Sequence, residues 1–252
     1  MTLSTLEQLI ELYPNAPYDW FALTINPCIS IEFIMSHSNL PWAAKAISMN
    51  PNVNESHIAA YENFRWSYAD LCGNANLPFR FFNDIITNPS IKVHLNWDYL
   101  SANGAIQTAD LDRHHHLPWN DRFVSMNPNI NSNYVLKVRP DRNWSVKYVS
   151  ANKGINERDI YKKVLPWDYN HLSSNPNLPA RFIRDNLAES WNWHSIGINP
   201  NITATDLDTY HEIPWDYSAL SLNPNITLDY ALSYSDKPWC YKHLACNKNR
   251  HG

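Results

Sequence analysis

Three consecutive histidines, His114, His115 and His116, are the densest group of metal-capable side chains in the sequence. Imidazole nitrogens hold zinc, copper or nickel when they converge on one point. Neighbouring residues project in different directions on a helix and to opposite faces of a strand, so this triplet reads better as a solvated loop. The four cysteines, Cys28, Cys72, Cys240 and Cys246, lack Cys-x-x-Cys spacing, which favours free thiols over a zinc site or a disulfide framework. Serine, histidine and aspartate are present but scattered. No Gly-x-Ser-x-Gly elbow, HExxH helix, Gly-rich phosphate loop or EF-hand string gathers them. The expectation is a non-enzymatic protein without catalytic residues, cofactor or metal.

Charge is the chemistry that is unevenly placed. From Arg113 to Lys163 there are ten Lys+Arg against four Asp+Glu, a balance of +6. Residues 1–112 carry 4 − 11 = −7 and residues 164–252 carry 6 − 9 = −3, which returns the net charge of −4. A basic middle between acidic arms suits an acidic protein or a nucleic acid, although charge runs are more often solvated faces. The candidate partner-binding residues are Arg113, Arg122, Lys137, Arg139, Arg142 and Lys147. Among them, Arg139 and Arg142 bracket Pro140 in an expected partner-contacting loop just before Trp144.

These side chains sit on a repeated framework. Pro214-Trp215-Asp216-Tyr217-Ser218-Ala219-Leu220-Ser221-Leu222-Asn223-Pro224-Asn225-Ile226-Thr227 recurs along the chain. Anchored on the asparagine that closes the Trp segment, the copies fall at Asn26, Asn50, Asn74, Asn103, Asn127, Asn152, Asn175, Asn199, Asn223 and Asn247, mostly 24 residues apart. Fixed self-similarity at such a period marks a repeat array. An aromatic stands eight residues before each anchor (Trp42, Trp119 and Trp215, for example), except at Leu95, where Trp97 is expected to take over the aromatic load.

The apolar spacing around each aromatic suits a short helix A, with the frequent preceding proline expected in its first turn. Asn-Pro-Asn ends that helix, because a residue before proline leaves the α region and asparagine satisfies turn backbone. An aliphatic residue and then a cap-forming one (Ser30, Asn54, Asn131, Asn156, Thr203 or Thr227) start helix B, and Thr203 to Asp206 has capping-box spacing. Each repeat is therefore expected to hold two helices of about two turns, stable only when stacked on neighbours.

The fold class expected is all-α, an α-solenoid of about ten 24-residue two-helix repeats. Residues 1–16 form an N-terminal capping half repeat, 17–247 the tandem array, and 248–252 a polar C-terminal tail. Five extra residues between Asn74 and Asn103, sited within 83–94, are expected to bulge as a loop. No apolar run approaches the roughly 18 residues of a membrane span, and the amino terminus lacks the pattern of a signal peptide. The expectation is a protein neither secreted nor transmembrane.

At Pro-Trp-Asp-Tyr-x-x-Leu-Ser-x-Asn-Pro-Asn-Ile-Thr, best kept in residues 166–178 and 214–227, the chain resembles the tryptophan-repeat proteins of giant viruses and insect poxviruses. The resemblance covers nearly the whole chain. It implies a virus-encoded helical interaction scaffold in the host cytoplasm or the virion, with an unidentified protein partner, host or viral. The family supplies no activity, cofactor or catalytic residue to carry over. Nucleic-acid binding through the basic middle, or a structural place in the particle, are the alternative expectations.

Overall fold

The computed structural model describes residues 3–247, so the polar tail at 248–252 lies outside the described residues. Twenty helical segments follow one another, and no strand occurs among the described residues. They alternate between two kinds. The A helices are Trp20–Thr24, Ala44–Met49, Tyr68–Leu71, Trp97–Ala102, Asp121–Val124, Val146–Ala151, Tyr169–Leu172, Trp193–Gly197, Tyr217–Leu220 and Tyr241–Cys246. The B helices are Thr5–Leu12, Ile31–Ser36, Glu55–Ala60, Phe79–Thr87, Thr108–Arg113, Tyr134–Val138, Glu157–Tyr161, Ala180–Arg184, Ala204–Thr209 and Leu228–Ser233. No helix among the described residues is long and apolar enough to cross a membrane.

Helix A starts later than the proline predicts. The Pro-aromatic pair lies in the connector, and the residue after the aromatic is the N-cap. Asp19, Asp168 and Asp216 each accept, through Oδ1, the backbone N–H three residues on at 3.0 Å. A short polar side chain in that slot satisfies an N–H that the first turn leaves unpaired. Starting at the cap shortens helix A to between four and six residues, not two full turns. At Ala43, which has no side-chain oxygen, Ala44–Met49 winds as a 3₁₀ helix.

Helix B follows its sequence signals closely. Ser30, Asn54, Asn156, Thr203 and Thr227 cap it, and Thr203 with Asp206 closes the capping box. Pro78 and Pro179 occupy the N-cap itself, one place before the first turn. In the half repeat, Ser4 and Glu7 form a capping box that starts Thr5–Leu12, and Ile10 is fully buried.

The core is assembled from three apolar columns. One precedes each anchor by three residues (Leu71, Leu100, Leu172, Leu220), one follows it by three (Ile29, Val53, Ile155, Ile226), and one lies inside helix B (Phe82, Leu111, Ile160, Ile183). All twelve are at zero solvent exposure. The insertion is divided between two structures: Phe79–Thr87 grows to nine residues, the longest helix, and only 88–94 run as exposed chain. Ile85, 8% exposed, anchors the added turn to the core. Leu95 is itself buried, and Trp97 belongs to a different column, two residues later, that meets the next repeat.

Packing divides the chain into two compact units, Met1–Phe123 and Val124–Gly252, a division that the uninterrupted repeat pattern does not reveal.

Candidate functional site

The most repeated side chains are engaged in hydrogen bonds between successive repeats. Asn175 is fully buried. Its Nδ2 donates to the carbonyls of Ser150 at 2.8 Å and Asn152 at 2.9 Å, while its Oδ1 accepts the N–H of Asn177 at 2.9 Å. Asn50, Asn74, Asn103, Asn152, Asn199 and Asn223 repeat this arrangement on the preceding turn. The last carbonyls of a helix have no intrahelical partner. Here each repeat supplies the missing donor for the helix A before it.

A second ladder was missed in the sequence. Two residues before the anchors stand Thr24, Ser48, Cys72, Ser101, Ser125, Ser150, Ser173, Gly197, Ser221 and Ala245. The hydroxyls of Ser48, Ser150, Ser173 and Ser221 accept the N–H of the next repeat's N-cap residue at 2.9–3.0 Å. Ser173 and Ser221 also donate back to the carbonyl four residues earlier, both at 2.8 Å. A hydroxyl is one donor and two acceptors, so it serves both helices at once. Cys72 fills the slot with a thiol. Burial pushes its pKa up to about 11, against a smaller lowering by the Asn96 N–H. The small size and mixed identity of this column disguised it in a sequence dominated by tryptophan.

The indoles satisfy themselves on turn carbonyls. Trp42, Trp119, Trp144, Trp191, Trp215 and Trp239 donate to the carbonyl five residues back, at 2.8–3.0 Å. A buried indole needs such an acceptor. The aromatic two places later meets the next repeat's tryptophan edge-on: Trp97 on Trp119, Tyr169 on Trp191 and Tyr217 on Trp239, with centroids 4.9–5.4 Å apart.

The histidine rings remain neighbours, His116 lying with its ring centroid 6.1 Å from that of His114 and 6.0 Å from that of His115. His114 ends Thr108–Arg113 with its ring 4.8 Å from Phe79, and His115 Nδ1 lies 3.1 Å from the Asp112 carbonyl. The four cysteines are free thiols.

The six basic candidates occupy different kinds of position. Arg113 and Arg122 belong to the first unit and the other four to the second. Arg113 and Lys137 lie on B helices, Arg122 and Lys147 on A helices, and Arg139 and Arg142 in a connector. The Arg139 guanidinium grips Asp141 through Nε at 3.1 Å and Nη2 at 2.9 Å, and this holds the Asp141 carboxyl below its ordinary pKa. The Arg139 carbonyl accepts the Trp144 indole N–H. Lys137 opens instead onto a groove shared with Arg158 and Lys162, two basic residues outside the candidate set.

In the first unit, helix B side chains pair across repeats. Glu7 is 3% exposed and accepts both the N–H and the hydroxyl of Ser30 on Oε1, at 2.8 and 2.6 Å, and the Ser4 N–H on Oε2 at 2.7 Å. Burial alone raises its pKa, but the donors of Ser30 and then Ser4 outweigh it and the net shift is downward. Glu32 is lowered by its own backbone N–H and by His57, whose Nε2 is 3.0 Å away. His57 Nδ1 accepts the Asn54 N–H at 3.3 Å, which assigns the ring proton to Nε2.

No protein-family model, no curated protein and no solved structure matches this chain.

Proposed function

We propose that the chain is an α-solenoid of tandem two-helix repeats serving as a non-enzymatic scaffold for protein–protein interaction. Its resemblance to the tryptophan-repeat proteins supports a virus-encoded protein that engages a host or viral partner in the host cytoplasm or the virion.

One observation carries the reading. Recurrent side chains are turned inward, while exposed slots on the same helices change identity from repeat to repeat. In seven of the ten repeats the position just before the anchor is exposed, and there it holds Met49, Gly73, Met126, Ser174, Ile198, Leu222 and Cys246. Solenoids separate these two tasks in the same way, with a fixed interior and a variable surface that contacts partners.

The test is affinity capture from virus-infected cells, identification by mass spectrometry, and titration of the purified partner. The scaffold reading expects saturable binding to a defined protein. Retention on DNA or RNA that falls steeply with salt, with no protein partner, would replace it with nucleic-acid binding through the basic middle.

A further inference from the structure

Two neighbouring repeats depart from the 24-residue spacing in opposite directions. Asn127 and Asn152 are 25 residues apart, Asn152 and Asn175 are 23 apart. The extra residue is absorbed in Tyr134–Val138, which winds as a π-helix, with the Arg139 N–H reaching the Tyr134 carbonyl at 2.8 Å. Such turns are rare and concentrate at functional sites. The missing residue is taken from the connector after Glu157–Tyr161. There Lys163 adopts φ 48°, the one non-glycine positive φ among the described residues, and the Trp167 indole bonds the carbonyl seven residues back instead of five. Left-handed backbone at a side chain with a Cβ is strained and persists where the surroundings enforce it.

Between these two irregular segments lies an open groove of about 550 Å³. Lys137 on one wall and Arg158 and Lys162 on the other are exposed. The one carboxylate in the lining, Asp159, accepts the Ser132 hydroxyl at 2.6 Å. Three cations against one carboxylate leave a local balance of 3 − 1 = +2. The floor is bare backbone at Gly154. Asn177 and Asn225, in the equivalent place of other repeats, lay a side-chain amide over the preceding turn. A Cβ at Gly154 would stand 2.0 Å from the Ile130 carbonyl oxygen, so only glycine lets the two turns close up.

We propose that this groove binds an acidic peptide segment of a partner protein, with Arg158 gripping one carboxylate through its guanidinium fork and Lys137 and Lys162 flanking it as point charges. The proposal rests on the scaffold reading. Carboxylates fit the guanidinium fork, and the Asn131 and Asn156 amides on the same walls supply further donors once their oxygens are engaged by the Tyr134 and Asp159 N–H groups. The apolar lining is Leu136 and Val164, with none of the aromatic platforms on which single-stranded nucleic acid stacks.

The experiment is fluorescence anisotropy of the full chain with a labelled oligo-glutamate peptide and, separately, a labelled oligouridylate. Wild type is compared with Lys137→Glu/Arg158→Glu/Lys162→Glu and with Lys45→Glu/Lys92→Glu/Lys242→Glu as a charge-matched control. All the altered side chains are exposed, so melting curves should coincide. The expected result is peptide binding that weakens with salt, is unchanged in the control, and falls about tenfold or more in the triple variant. Peptide binding that is absent in wild type or equal in the triple variant overturns the proposal, as does oligouridylate binding in place of peptide. A partner protein that the triple variant still captures at full strength also overturns it, while leaving the scaffold reading in place.

Discussion

Asn175 is where repeat coupling is best separated from ordinary turn chemistry. Replacing it by alanine removes two bonds to the preceding repeat, at 2.8 and 2.9 Å, and one within its own turn, at 2.9 Å. At a net 0.5–1.5 kcal/mol each, and toward the upper end because the site is fully buried, the loss is about 3–4 kcal/mol. For a chain of this size that corresponds to a fall in Tm of about 6–12 °C. Asn177→Ala removes two bonds, both at 2.9 Å, from a half-buried side chain whose acceptors lie where water can replace it, and should cost about 1 kcal/mol. Asn175→Asp is the sharper probe. Aspartate still accepts the Asn177 N–H, yet turns a buried carboxylate toward the two carbonyls that Nδ2 had served. It should destabilise at least as much as alanine, read as the urea midpoint by circular dichroism. Near-wild-type stability of the aspartate variant would refute the trans-repeat cap.

Gly197 departs from a serine-rich column, so consensus alone favours Gly197→Ser. A Cβ there would lie 2.6 Å from the Ala219 Cβ, and the substitution should lower stability by about 1–3 kcal/mol; a gain in the denaturation midpoint would contradict this packing. Acid should weaken the first unit. Glu7 and Glu32 have folded pKa values below 4.5, so their contribution is complete above the unfolded value and is lost as pH falls below it through the folded ones. Glu7→Gln should remove much of this dependence in melts between pH 3 and 6 and, by placing an amide donor against Ser4 or Ser30 donors, cost about 1–3 kcal/mol at pH 7. Native thiol titration at pH 8 should label exposed Cys28 and Cys246 quickly and spare Cys72, whose thiol is buried and has a pKa near 11; prompt labelling of Cys72 would place it outside the core.

Much of this framework was legible before any coordinates. Asn-Pro-Asn punctuation and the polar starters at Ser30, Asn156 and Thr227 fix helix B because both signals are local: a proline restraint followed by a side-chain cap. The start of helix A was misplaced for the same reason. Pro214 and Asp216 are both helix-start signals two residues apart, and the cap bond of Asp216 to Ala219 decides between them. The insertion was located but not its form, since Ile85 returns the added turn to the core and leaves only 88–94 outside. Unequal spacing around Asn152 was visible as a count. That the surplus becomes a π turn and the deficit a left-handed Lys163 depends on how both repeats keep their anchors in register, which is a tertiary matter. Sequence spacing does not link Arg158 and Lys162 to Lys137, because their meeting crosses from one repeat to the next.

The anchor asparagines close the array from within. Side-chain amide exchange, followed by NMR after transfer to D₂O, tests this most directly. The Nδ2 protons of Asn50, Asn152, Asn175, Asn199 and Asn223 should persist while those of exposed asparagines such as Asn88 vanish at once. Uniformly immediate exchange of every asparagine amide would mean that the ladder does not form and that the repeats are held together by apolar contact alone.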